Sequence, residues 1–340
     1  AGFSKGQADA LRKGMGKKQK KIIDQLYPKF LEGCSKNGFP EETINKIWND
    51  WQAFASYAFN KSHSTCYALV AFQTAYLKAH YPAEFMASVL THNKNDISKL
   101  NFFLRECKKL NIDVLIPDVN ESGVNFKVNA KGQIRIGLSA MKNVGQAAVE
   151  ELIKEREKNG PFHSFFDMMR RLSLRVLNKK CIENLVLGGA LDCFSDYPRS
   201  LYFSPSGKYG TFIEHGIKYG AAYQQQKLES ATSLFGNSED AMIPEPDPPV
   251  DQPWGRMHQL NKEKEIIGIY VSGHPLDDYK MELENFVNCE LVHFDRVKAP
   301  NRQLKIAGII TTAMHGVNRR GNGYGRFTVQ DYNGSLEMYL

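Results

Sequence analysis

The sequence predicts a multidomain protein, mainly α-helical through most of its length and closing on a partial all-β unit. Three observations carry this expectation. Apolar residues recur at helical spacing from the start to about position 111, a proline-rich acidic stretch interrupts the chain at 241–253, and the last segment alternates polar and apolar residues as strands do. At 340 residues the chain can hold two or three domains, each with its own core.

The first helix is expected to begin at Ser4, because Ser4-Lys5-Gly6-Gln7 has the form of a capping box. Its inward positions are Ala8, Leu11 and Met15, and Gly14 and Gly16 loosen its end. In 41–59, Ile44, Ile47, Trp48, Trp51, Phe54 and Ala55 fall on one stripe of an amphipathic helix. From 64 to 80, Leu69, Phe72 and Tyr76 form one stripe. Ala68, Ala71, Ala75 and Ala79 form a second, small enough for close helix approach. Pro82 then opens a new helix at a position where its missing N–H costs little.

After Pro117 the texture changes. Two short apolar runs, 126–128 and 133–136, flank Asn129-Ala130-Lys131-Gly132 and predict a hairpin. Helices resume at Ser139 and continue through 178–187, and another is expected to end near Ser230. Residues 241–253 read as an extended linker. A helix around 257–265 is followed by 266–271, a strand candidate, and the final strands are expected at 304–311, 325–330 and 335–340. The expected divisions are therefore 1–115, 116–200, 201–240, 241–255 (linker), 256–300 and 301–340.

The formal charge is +7, with a pI near 8.9, so the distribution of charge matters more than its sum. Six cysteines lie scattered without a C-x-x-C pair or a histidine at metal spacing, and read as free thiols of a reducing, cytoplasmic compartment. No apolar run reaches the roughly 20 residues of a membrane span, and no signal peptide is evident.

Two basic features point to anions. Arg12, Lys13, Lys17, Lys18, Lys20 and Lys21 cluster at the first helix, although for a lysine run alone a solvated face is the favoured reading. Asn60, Lys61, Ser62 and His63 stand ahead of a helix that Ser62 or Ser64 would cap, where unpaired N–H groups and the positive end of the macrodipole favour phosphate. Phe59 would anchor that loop. His63 alone fits a capping or packing role as well as a phosphate contact. A hydrolase pairing His63 with Ser62 or Ser64 is disfavoured, because adjacent residues seldom reach nucleophile-to-base geometry and no orienting acid is evident. No D-x-D arrangement offers carboxylates for a two-metal site, and Asp277-Asp278 sits beside a proline turn.

Further along, Gly137 to Ala147 leads into a helix expected to reach about Arg156. Lys142, Asn143, Val144, Gly145 and Gln146 would form the hairpin of a helix-hairpin-helix, which lays backbone amides and a helix N-terminus against one phosphate without reading bases. A degenerate second copy, ending at Leu187-Gly188-Gly189-Ala190-Leu191-Asp192, is given a structural role. Ser233, Leu234 and Phe235, on a polar tether, suit insertion into a partner's pocket. His274 reads as a structural hydrogen-bonding residue.

The runs Tyr57-Ala58-Phe59-Asn60-Lys61-Ser62-His63-Ser64 and Tyr76-Leu77-Lys78-Ala79-His80-Tyr81-Pro82-Ala83-Glu84-Phe85-Met86, with the upstream Ala8 to Lys18, resemble the fingers domain of the alpha subunit of bacterial DNA polymerase III. Gly268 to Leu276 is also similar to that family. The resemblance implies a helical fingers domain at 1–115 and a helix-hairpin-helix region at 116–200. A clamp-binding peptide would follow in 201–240, and the opening of an OB-fold at 301–340. The order resembles the DnaE type rather than the PolC type. It further implies that Arg12, Lys13, Lys17, Lys18, Asn60, Lys61, Ser62 and His63 meet the triphosphate of an incoming dNTP, and that Ser233, Leu234 and Phe235 bind the sliding clamp, normally after a glutamine where Ala231 stands. Arg319, Arg320, Tyr324 and Arg326 would meet single-stranded DNA. Magnesium and its carboxylates would belong to a palm domain preceding Ala1, leaving no cofactor in this piece. Other replisome subunits are implied as partners of the parent protein, with no membrane role. The alternative is a non-enzymatic DNA-binding scaffold built of the same modules.

Overall fold

The computed structural model describes residues 1–57, 61–232, 243–296, 303–317 and 321–340. Two compact units divide between His80 and Tyr81.

The first unit holds α1 (Lys5–Gly16), α2 (Lys20–Lys36), α3 (Glu41–Tyr57) and α4 (Lys61–His80). Ser4 caps α1 in the expected box, its hydroxyl accepting from Gln7 N–H while the Gln7 side chain accepts from Ser4 N–H. Leu11, Ile23, Phe30, Cys34, Ile44 and Trp48 form the core shared by α1, α2 and α3. Phe30 meets both Trp48 and Trp51 with ring centroids 5.0 Å apart. On α1 Leu11 and Gly14 are buried and Met15 packs partly buried against the same core, whereas Ala8 is exposed. Glycine at 14 brings the helix within contact of Ile22 and Ile23. Phe54, placed on the inward stripe of α3, is exposed. Every residue of α4 is exposed, including the Leu69, Phe72 and Tyr76 predicted to pack.

The second unit begins with α5 (Pro82–Asn93), started by its proline, and α6 (Ile97–Lys109), capped by Asp96. These helices, expected to share a region with the first four, pack here against a small sheet. In it β2 (Lys127–Val128) runs antiparallel to β3 (Ile134–Arg135), as predicted, and β1 (Val114–Leu115) adds a parallel edge. Met86, Leu90, Leu100, Ile134, Ile136, Ile267 and Ile269 fill this core.

A larger core follows, around α7 (Gln146–Asn159), α8 (Phe165–Arg171), α9 (Lys179–Leu187) and α10 (Phe212–Thr232). Ser164 and Asn178 cap α8 and α9. Phe165, Phe166, Tyr202 and Phe212 stack edge-on or tilted at its centre. The expected linker has no regular element over its described part, yet it is held. Ile243 and Trp254 pack on the large core, Trp254 stacks on Phe203 at 5.3 Å, and Glu245 pairs with Arg170.

Helix α11 (Arg256–Ile267) overturns the strand predicted at 266–271. Ile266 and Ile267 form its last turn, and Gly268, at φ 90, ends it in the left-handed conformation. Ile266 enters the large core and Ile267 the smaller one, so the apolar run is explained by burial on two sides rather than by a sheet. After α12 (Lys280–Phe286) come β4 (Ile309–Val317), β5 (Gly323–Gln330) and β6 (Ser335–Tyr339), an antiparallel meander. The first of these strands starts later than the predicted 304.

Candidate nucleic-acid interface

The first candidate is the turn from Met141 to Gln146. Asn143 adopts φ 57, a left-handed backbone that asparagine tolerates better than most residues, and this reverses the chain between a 3-10 turn at Leu138–Ala140 and α7. Lys142, Asn143, Gly145 and Gln146 are exposed, while Val144 is buried and fastens the turn to the large core. Gly145 stands at the N-cap of α7 without a side-chain cap, and no acidic residue occupies the first turn. A Cβ at Gly145 would meet nothing within 4 Å, so the approach to this helix start is open. Unpaired amides and the positive end of the macrodipole therefore face an unobstructed surface with Lys142 beside it.

The supports of this turn come from far along the chain. Lys142 N–H donates to the Ile266 carbonyl at 3.0 Å, and the Lys142 carbonyl accepts from the Asn184 side chain. Gly188 lets α9 approach, since a Cβ there would sit 2.3 Å from the Met141 methyl. Burial pushes the Cys181 thiol up to about 11, and a hydrogen bond with the Gly145 backbone pulls the other way, marking the contact of the turn with α9. Sequence reasoning missed Asn184 and Ile266. A polar residue among the apolar positions of α9 was the available signal for the first, and none existed for a backbone carbonyl.

Leu187 to Leu191 of the expected second copy are buried. Gly189 has φ 83, Ala190 accepts from Val119 N–H, and Asp192 holds Arg199 through two nitrogens at 2.9 and 2.6 Å. Arg199 also meets the fully buried Glu263 at 3.3 Å.

In the first unit, Arg12 and Lys13 pair with Asp9 at 2.7 and 2.8 Å, and these bonds hold the Asp9 carboxyl below its usual range. Lys17 is the C-cap of α1 and Lys18 takes φ 55, and Arg12, Lys13, Lys17 and Lys18 are all exposed. Lys61, Ser62 and His63 form the first turn of α4 rather than a loop ahead of it. The helix starts before Ser62 and Ser64, so neither is its cap. His63 stacks on Tyr67 at 4.3 Å. Phe59 and Asn60 lie outside the described residues.

On the terminal sheet, Tyr324 pairs with Gly316, and Arg326 lies between Met314 and Tyr339. Met314, Tyr324 and Tyr339 expose one side of the sheet, and Arg326 on it contacts Glu337 at 3.1 Å. Arg319 and Arg320, and Ser233, Leu234 and Phe235, lie outside the described residues. His274 makes hydrogen bonds within its own turn, accepting from Leu276 N–H at 3.2 Å. Among the described residues no helix is long and apolar enough to cross a membrane, and no group of three His, Cys, Asp or Glu could hold a metal.

A family model described as a helix-hairpin-helix motif matches residues 111–201, and one described as the bacterial DNA polymerase III alpha subunit finger domain matches 1–38. DNA polymerase III subunit alpha of Thermus aquaticus is 38% identical over 343 residues, covering 100% of this chain and 27% of the relative. That of Saccharopolyspora erythraea is 39% identical over 347 residues, covering 99% and 28%. The subunit of Escherichia coli K12 is 35% identical over 343 residues, covering 100% and 29%. The chain thus spans between a quarter and a third of the length of these relatives. It belongs with the bacterial DNA polymerase III alpha subunits, matching a part of them from its first residues to its last.

Proposed function

We propose that this chain forms the nucleotide- and DNA-handling part of a replicative DNA-directed DNA polymerase, and that Lys142 to Gln146 grip a backbone phosphate of duplex DNA. The observation that carries the reading is the uncapped start of α7, with Gly145 open to solvent and Lys142 exposed beside it. Contacts of this kind fix register on a duplex without selecting sequence.

In the same reading, Arg12, Lys13, Lys17 and Lys18, with Asn60, Lys61, Ser62 and His63, neutralise and orient the triphosphate of a dNTP. Their part is electrostatic, and bond making is left to magnesium-binding carboxylates outside this chain. Tyr324 and Arg326, with Arg319 and Arg320, would stack on and pair with single-stranded DNA from an OB-fold. Ser233, Leu234 and Phe235 would tether the protein to the sliding clamp in the cytoplasm. Family membership and the exposed aromatic side of the terminal sheet support these assignments.

Fluorescence anisotropy with a labelled duplex tests the central claim. Log affinity should fall with log salt by about 0.9 for each phosphate neutralised, equally for unrelated sequences. Lys142→Ala should weaken binding and reduce that slope by about 0.9. A salt-independent affinity, or an unchanged slope in Lys142→Ala, would refute the assignment.

A further inference from the structure

Arg105, Lys108, Tyr270, His274, Gln330 and Tyr332 line an open cavity of about 340 Å3, brought together from α6, the turn after α11 and the turn between β5 and β6. Lys264 borders it, its ammonium 4.5 Å from the centre of the Tyr270 ring and 3.0 Å from Gln330 Oε1.

The carboxylates nearby are already engaged. Asp331 accepts from the backbone of Leu291, Asn333 and Gly334 at 2.7–2.8 Å. Asp277 accepts from His274 N–H, the Tyr332 hydroxyl and Arg256. Lys108 is exposed and makes no ion pair among the described residues. Hydrogen bonding leaves both carboxylates charged, and the three cations Arg105, Lys108 and Lys264 outnumber them at this place.

His274 adds a second, independent feature. Its Nδ1 accepts from Leu276 N–H, so a neutral ring carries its proton on Nε2. That atom is enclosed and has no hydrogen-bond partner among the described residues. Buried donors in folded proteins are nearly always satisfied, which makes an unsatisfied one a mark of a missing acceptor. Burial and the charges of Lys264 and Lys108 hold the imidazole below its usual range, while Asp277 and Asp331 oppose them. Burial lowers Lys264 likewise. An anion in the cavity would relieve each of these conditions together.

We propose that this cavity binds a phosphate group, carried by a free nucleotide or by a nucleic-acid strand, with Lys108 and Lys264 supplying charge and His274 Nε2–H a directed donor. The Tyr332 ring stacks on His274 at 4.5 Å and forms one wall of the site. The site shares no residue with the hairpin at Lys142 and does not depend on its reading.

The test uses the full chain with imidazole nitrogens labelled, so that the His274 Nε2 signal reports this site alone. Inorganic phosphate and a single-stranded oligonucleotide are titrated separately. Each should shift that signal if both sources fit, and Lys108→Gln should weaken the response about tenfold, the usual worth of one charged hydrogen bond. Lys264→Gln should weaken it in the same direction. A response to phosphate alone assigns the cavity to free nucleotides, and a response to the oligonucleotide alone assigns it to a strand. A His274 signal unmoved by both ligands, or moved equally in wild type and Lys108→Gln, overturns the proposal.

Discussion

Replacing Glu263 by Gln should destabilise the second unit by about 2–4 kcal/mol while leaving side-chain volume nearly unchanged. The Glu263 carboxylate is fully buried and accepts from Val271 N–H, Ser272 N–H, the Ser272 hydroxyl and Arg199 Nη1. A glutamine keeps one acceptor oxygen for the two amides but turns an NH2 toward the guanidinium. Three charge-assisted bonds become neutral ones, at about 1 kcal/mol each, and Arg199 loses one of its two carboxylates. Two effects hold the total below the roughly 3–5 kcal/mol of a fully orphaned buried charge: Asp192 still pairs with Arg199, and the native state no longer buries a second ion. Two of the three tryptophans, Trp48 and Trp51, lie in the first unit, so bulk fluorescence would mix the units. Hydrogen exchange at Val271 and Ser272 is the appropriate assay, and protection there should fall between about thirtyfold and a thousandfold. Arg199→Met should destabilise the unit too. Adding it to Glu263→Gln should cost less than the sum, because the guanidinium facing the new NH2 is gone. Wild-type protection in Glu263→Gln, or strict additivity of the pair, would refute the view that these residues form one electrostatic unit.

Asn143→Val should lose about 1–2 kcal/mol in thermal unfolding, because a β-branched residue is strained at φ 57, whereas Asn143→Gly should stay within about 1 kcal/mol of wild type. Gly220→Ala should cost about 1–3 kcal/mol, read from the urea midpoint: its Cβ would lie 2.6 Å from the Met169 carbonyl, the same oxygen that accepts from Gln224. Phe235→Ala should reduce binding to the sliding clamp in surface plasmon resonance and leave duplex affinity unchanged; equal loss of both would point to misfolding.

Local chemistry made much of this architecture legible. The Ser4 box, Pro82 at the start of α5 and the turn at Asn129 to Gly132 depend on residues within four positions of each other, so the sequence states them directly. The reversal at Asn143 belongs to the same class. What failed was decided at a distance. The run Ile266 to Val271 has the composition of a strand, and only its position between two cores, with Gly268 closing the helix, makes it a helix end. Periodicity on α4 specified a face for packing but could not supply its cover, and in the structure that face is exposed.

The same division governs the sites. Charge is visible in a sequence, but convergence is not. The lysines after α1 are evident as a cluster because they are neighbours in the chain, and the structure leaves them exposed. Arg105, Lys108, Lys264 and His274 are separated by long intervals, and no local pattern marks them as a group. They meet because Leu104 and Val271 pack against the smaller core while Ile266 and Ile267 tie α11 to both. The hairpin at Lys142 depends on the same join, since its N–H is held by the Ile266 carbonyl. A change that loosens the end of α11, such as Gly268→Val at φ 90, should therefore disturb the hairpin and the cavity together, although neither contains the altered residue.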